Sequence, residues 1–113
     1  GERVGVLPDQ GVKAVNGVVA PFFGVNATTM TLVNKLSQKT GAQMVVVWAE
    51  REPGSRFKLR MMKGVAGFDD ADPVAAATAL NQSVEAAIRQ RPEQYWWSYP
   101  RFRHRAEGVE RPY

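Results

Sequence analysis

The chain has 113 residues, 44% of them hydrophobic, with a formal charge of +4 at pH 7, one histidine and no cysteine. That size supports one modest domain, and that composition argues against disorder. It excludes a disulfide framework, a thiolate metal site and a two-histidine metal cluster, and no apolar run reaches the roughly 18 residues of a membrane span.

The net positive charge favours an anionic partner. The last quarter concentrates it in Arg89, Arg91, Arg101, Arg103, Arg105 and Arg111, with no lysine. Arginine's planar fork binds phosphate or carboxylate bidentately, although a solvated basic tail has the same composition. The start, Gly1-Glu2-Arg3-Val4, lacks an initiator methionine and a leader and reads as a strand entered mid-protein. A piece of a longer chain is therefore expected.

In chain order, Arg3 to Leu7 is a β-branched, apolar run stopped by Pro8. It is expected as a buried strand that presents Asp9 and Gln10 at its carboxyl end. In open α/β sheets ligands gather beyond such ends. A plain Pro-Asp turn is the alternative use of Asp9. Gly11 to Gly24 is glycine-rich and contains Pro21, which lacks a ladder donor, so a loop with a short extended piece is expected. Phe22 and Phe23 there line an acyl or aromatic pocket, or are simply core.

Asn26 is expected to cap a helix from about Ala27 to Thr40, with Met30, Val33 and Leu36 on its apolar stripe. Gly41 supplies a left-handed stop. Gln43 to Glu50 holds Met44-Val45-Val46-Val47-Trp48, a buried strand, and Glu52-Pro53-Gly54-Ser55 turns the chain. Arg56 to Met62 alternates and pairs back antiparallel, its Arg56, Lys58 and Arg60 face solvated. Asp72-Pro73 starts a helix that runs to about Arg91 with Val74, Ala77, Leu80, Val84, Ala87 and Ile88 on one stripe. Asp69, Asp70 and Asp72 lack the glycine and distal glutamate of a calcium loop. Pro92 bends the chain, and Tyr95, Trp96, Trp97 and Tyr99 are expected to pack on the sheet. The sum is an α/β fold, a partial mixed β-sheet covered by helices, with the rest of the sheet supplied by preceding sequence.

The run from Tyr95 to Arg105 interleaves aromatics with arginines, which suits a membrane interface, a phosphorylated lipid or a nucleic acid. His104 is surrounded by cations that weaken it as a base, so it reads as part of the arginine ladder or as surface. No phosphate-cradling glycine loop and no Gly-x-Ser-x-Gly elbow is present.

Taken in order, Gly5-Val6-Leu7-Pro8-Asp9-Gln10, Ala20-Pro21-Phe22-Phe23-Gly24, the Thr28-to-Gly41 segment, Arg91-Pro92-Glu93-Gln94-Tyr95-Trp96-Trp97 and Arg101-Phe102-Arg103 resemble the bacterial lipid A biosynthesis acyltransferases. The resemblance is collinear over nearly the whole chain. It implies an inner-membrane enzyme with a cytoplasmic active site, moving a fatty acyl group from acyl carrier protein to a hydroxyl of a Kdo-bearing lipid A precursor. It implies no cofactor and no metal. The family's general base is the histidine of a His-x4-Asp/Glu motif. Here Val109 stands five residues after His104, so that motif is expected upstream and this segment alone is expected to be inactive. What the resemblance assigns to this chain is a cleft bordered by Asp9 and Gln10 and an acyl pocket flanked by Phe22 and Phe23. Arg101, Arg103 and Arg105 would meet lipid A phosphates, Kdo carboxylates or the acidic carrier protein. All 113 residues would form the C-terminal part of a single acyltransferase domain. Two rivals stay open: a small basic module for nucleic acid or other anions, and a peripheral membrane domain. The resemblance disfavours nucleic acid.

Overall fold

The computed structural model describes residues 1–103. Its strands and helices are β1 (Gly17–Phe22), β2 (Val25–Met30), α1 (Leu32–Thr40), β3 (Val45–Glu52), β4 (Arg56–Lys63) and α2 (Pro73–Gln90). Single 3₁₀ turns lie at Ala14–Asn16 and Pro92–Gln94. The α/β class therefore holds, with the strands arranged as two separate antiparallel hairpins, β1-β2 and β3-β4.

Three elements form as their residues dictate. Asp72 caps α2, its Oδ1 accepting the Val74 N–H at 3.1 Å, and Pro73 occupies the first turn, where no N–H is missed. Gly41 ends α1 at φ 71°, its N–H donating to the Ser37 carbonyl at 2.7 Å. Residues 53–55 close the β3-β4 hairpin, with Gly54 and Ser55 both at positive φ.

Elsewhere the structure corrects the expectation. Arg3–Leu7 is not a strand: no described strand runs beside it to take its N–H and C=O groups, and Val4 and Leu7 are 69% and 64% exposed. Asp9 instead follows Pro8 in a turn closed by the Gln10 N–H on the Leu7 carbonyl at 3.4 Å. The expected helix at Ala27 begins only at Leu32, because Val25 to Met30 pair with β1 from Phe22↔Val25 to Gly17↔Met30. Asn26 is thus a strand residue opposite Pro21 rather than a cap. Pro21 is tolerated because β1 is an edge strand. Helix α1 buries Asn34 and Ser37 rather than an apolar stripe. Asn34 Nδ2 donates to the carbonyls of Phe68 and Asp70, and Gln38 Nε2 also reaches Asp70.

Helix α2 covers the first hairpin, and Phe22, Ala27, Val84 and Ile88 form the core cluster. Its alanines at 76, 77, 79 and 87 are all buried and let the helix backbone approach closely. Val74 is 45% exposed and falls outside the stripe.

In the second hairpin Arg56 and Lys58 are exposed as expected, but the apolar face is exposed too and Arg60 is drawn in. Phe57, Leu59 and Met61, with Val45 and Val47 across the ladder, are more than half exposed. The cause is Glu50, 3% exposed, which receives Arg60 Nε at 3.2 Å and Arg91 Nε at 2.9 Å. Gln94 adds a second clasp, its Oε1 accepting the Arg51 N–H at 2.7 Å and its Nε2 donating to the Arg51 carbonyl at 3.0 Å. These contacts bind the polar face of the hairpin to the end of α2. Among the described residues no helix is long and apolar enough to cross a membrane.

Candidate functional site: an aromatic cavity with a buried arginine

The site lies where the β1-β2 hairpin, α2 and the returning segment 95–102 meet. Asn81, 1% exposed on α2, donates from Nδ2 to the Pro21 carbonyl at 3.1 Å and to Thr29 Oγ1 at 2.8 Å. The Thr29 hydroxyl in turn donates to the Ala27 carbonyl at 3.1 Å. Into this polar joint comes Arg101, 3% exposed. Its Nη1 donates to the Thr28 carbonyl at 2.8 Å, and its Nη2 to Thr29 Oγ1 at 3.2 Å and Asn81 Oδ1 at 3.4 Å. The guanidinium also lies over the Phe22 ring, 5.2 Å from the centroid.

Beside it a cavity of about 260 Å³ is lined by Phe22, Phe23, Val25, Tyr95, Trp97, Tyr99, Arg101 and Phe102. The turn residue Phe23 is unusual, since φ 49° is rarely adopted by an aromatic residue. Its surroundings hold it there. Its N–H donates to Glu85 Oε1 at 2.7 Å, its ring sits edge-on to Phe22 at 4.9 Å, and the Arg89 guanidinium lies 4.9 Å above it. Such local strain is typical of sites where position matters more than propensity.

The electrostatics tie residues 9–11 to the segment 95–101. Burial, then the Asp9 charge, push the Tyr95 hydroxyl up to about 12, so it remains a donor at neutral pH. Burial pulls the Arg101 guanidinium down, while Tyr95, Tyr99 and Asp9 hold it up. Tyr99 adds a direct link, its hydroxyl oxygen accepting the Gly11 N–H at 3.0 Å.

Asp9 is half-buried at this edge, Phe22 is buried, Phe23 is half-buried, and Arg101 is turned inward. Gln10 and Arg103 are exposed. Arg105 and His104 lie outside the described residues. Trp96 and Trp97 are 65% and 56% exposed rather than packed as core, although Trp97 walls the cavity with one face. Asn81, Glu85 and Tyr95 carry roles that the motifs do not announce. The available signal was Asn81 itself, a polar residue beside Leu80 in an otherwise alanine-rich stripe. No cluster of three potential metal ligands occurs among the described residues.

The ordered motifs that build this mixed α/β segment point to one class of protein, the acyltransferases. Residues 1–104 match the family model of bacterial lipid A biosynthesis acyltransferases, and the chain belongs to that family. It is 36% identical over 117 residues to the lipid A biosynthesis lauroyltransferase of Escherichia coli (strain K12), covering 100% of this chain and 38% of that protein. To the palmitoleoyltransferase of the same organism it is 34% identical, covering 96% of this chain and 36% of the relative. A Haemophilus influenzae lipid A biosynthesis acyltransferase is 31% identical, with 97% and 34% covered. The chain thus spans less than two fifths of the length of these relatives.

Proposed function

We propose that this chain is the C-terminal part of a lipid A late acyltransferase. The whole enzyme moves a fatty acyl group from acyl carrier protein to a hydroxyl of a Kdo-bearing lipid A precursor, at the cytoplasmic face of the bacterial inner membrane. One observation supports this reading beyond family membership: Phe22, Phe23 and Arg101, spread along the chain, line one aromatic cavity, and Asp9 acts electrostatically on Arg101 beside it.

In this reading the general base is a His-x4-acid pair outside these residues. It takes the proton of the acceptor hydroxyl, the oxygen attacks the thioester carbonyl carbon, and the carrier thiolate leaves. Asp9 borders the cleft with a negative charge, and the apolar walls exclude water from the thioester. Arg103 and Arg105 meet the anionic groups of the lipid precursor or the acidic carrier. No cofactor takes part.

The test uses the whole enzyme containing this segment, with acylated carrier protein and lipid precursor. Asp9→Asn is expected to lower kcat at least tenfold, and the 113-residue chain by itself is expected to yield no acylated product. Turnover by the isolated chain, or an Asp9→Asn enzyme as fast as the parent, defeats the reading.

A further inference from the structure

One sheet face stands open among the described residues. In the β3-β4 hairpin, Val45, Val47 and Ala49 share a face with Phe57, Leu59 and Met61 across the ladder. All six are exposed, and the last three are 66–68% exposed. Glu50, Arg60 and Arg91 fasten the opposite face to the end of α2, so the hairpin cannot turn its apolar side inward. A two-stranded sheet by itself is marginal in water, and an apolar sheet face needs another element to bury it.

The charges at the ends of this band narrow the occupant. Arg51 stands opposite Phe57 at one end, and Lys63 stands opposite Val45 at the other. Both cations are exposed, and no acid shares their face of the hairpin. From Val45 to Arg51 the strand runs about 20 Å, the length of an α-helix of about 13 residues. A bilayer suits hydrocarbon flanked by cations. It would leave the outer backbone groups of both strands unpaired in lipid, since each strand of this sheet pairs on one side only. A second copy stacked on the same face, in either direction along the strands, sets cation against cation at both ends. An amphipathic helix with an acid near each end meets the hydrocarbon and the cations together. Chain to supply it exists in the relatives, because the greater part of each lies outside the stretch matched here.

We propose that the open face of β3-β4 seats an amphipathic helix of about 13 residues from the preceding part of the same enzyme, with carboxylates near its ends facing Arg51 and Lys63. That the helix belongs to a longer acyltransferase rests on the reading above. The open face and its two cations do not.

The test uses the whole enzyme containing this segment, in detergent. Leu59→p-benzoylphenylalanine is illuminated, and the cross-linked peptide is identified by mass spectrometry. The expected product is a cross-link within one chain, to a peptide that precedes residue 1 and has apolar residues at i, i+3, i+4 and i+7. The unsubstituted enzyme is then treated with hydrogen peroxide, which needs no variant to fold. Met61 is expected to oxidise at least about tenfold more slowly in the folded enzyme than after denaturation, because its thioether is covered. A cross-link to lipid or detergent, to a second copy or to residues 1–113 overturns the proposal. So does the absence of any cross-link, or Met61 oxidation within about twofold of the denatured rate. If one of these results comes from an enzyme that transfers acyl groups, this inference falls and the acyltransferase reading stands. The expected cross-link in an enzyme that transfers no acyl group keeps the seated helix and defeats the acyltransferase reading.

Discussion

Asn81→Ala tests the polar joint that holds α2, the first hairpin and Arg101 together. Asn81 is 1% exposed and makes two well-formed hydrogen bonds, at 2.8 and 3.1 Å, with a longer one from Arg101. Two such bonds net about 2 kcal/mol. The vacated amide volume, in a helix face pinned by neighbouring alanines, adds about 1 kcal/mol. Thr29 Oγ1 keeps its bonds to Ala27 and Arg101, so no larger penalty arises there. The sum is about 3 kcal/mol. At roughly 2.1 cal/mol/K per residue, that lowers the melting temperature of a 113-residue chain by about 12 °C. Thermal circular dichroism of Asn81→Ala reads the loss, with Gln82→Ala, exposed on the same helix, as the control. A drop under about 4 °C, equivalent to about 1 kcal/mol, refutes the view that this amide joins the three elements.

Glu50 gives a pH signature. The hydrogen bond from Arg60 holds its carboxyl below the ordinary value of 4.5, burial opposes this, and Arg91 adds to the lowering. A depressed folded pKa contributes stability that is present above the unfolded value and is lost as pH falls through the folded one. The urea midpoint should therefore decline below about pH 4.5, and Glu50→Gln should flatten part of that acid limb; parallel limbs in the two proteins reject the assignment. Gly17→Ala would put a Cβ 2.6 Å from the Thr29 carbonyl oxygen and 2.7 Å from Val12 Cγ2. It should cost about 1–3 kcal/mol in urea unfolding, and a neutral result contradicts the β1-β2 register. Phe23→Asn should leave stability within about 1 kcal/mol, since Asn-Gly suits a two-residue hairpin turn. The same change should slow acyl transfer by the whole enzyme, because it deletes a cavity wall. Equal rates would show the ring to be only a turn residue.

What the sequence made legible was local. Asp72-Pro73 sets the start of α2, Gly41 sets the end of α1, and residues 53–55 set the second hairpin, each through backbone chemistry confined to a few residues. Val25–Met30 carries a helix signal and forms a strand because Asn and Thr serve helix starts and strands alike, and only pairing with β1 decides between them. The Phe23-Gly24 turn was hidden because a phenylalanine holds the left-handed position usually given to asparagine, supported by Glu85 and Arg89 from a distant helix. Arg3–Leu7 has strand composition, but no described strand lies beside it to pair with. The motif resemblance singled out Phe22, Phe23 and Arg101, which line one cavity, and Asp9, which reaches Arg101 only through its charge. The inward turn of Arg101 and the roles of Asn81 and Tyr95 exist only in three dimensions. The exposure of the apolar face of β4 was missed for the same reason: Glu50 recruits Arg60 and Arg91, and the alternation cannot register Arg91.

The contact between Arg101 and Thr28 closes a loop of 73 residues, an ordering cost of about 4 kcal/mol. During synthesis Thr28 leaves the ribosome first and waits for Arg101, an interval of about 4 to 15 s at typical elongation rates. Throughout that delay the Phe22 ring and the Thr28 carbonyl are without the guanidinium that later covers them. Arg101 is the latch that closes this joint late in the growth of the chain.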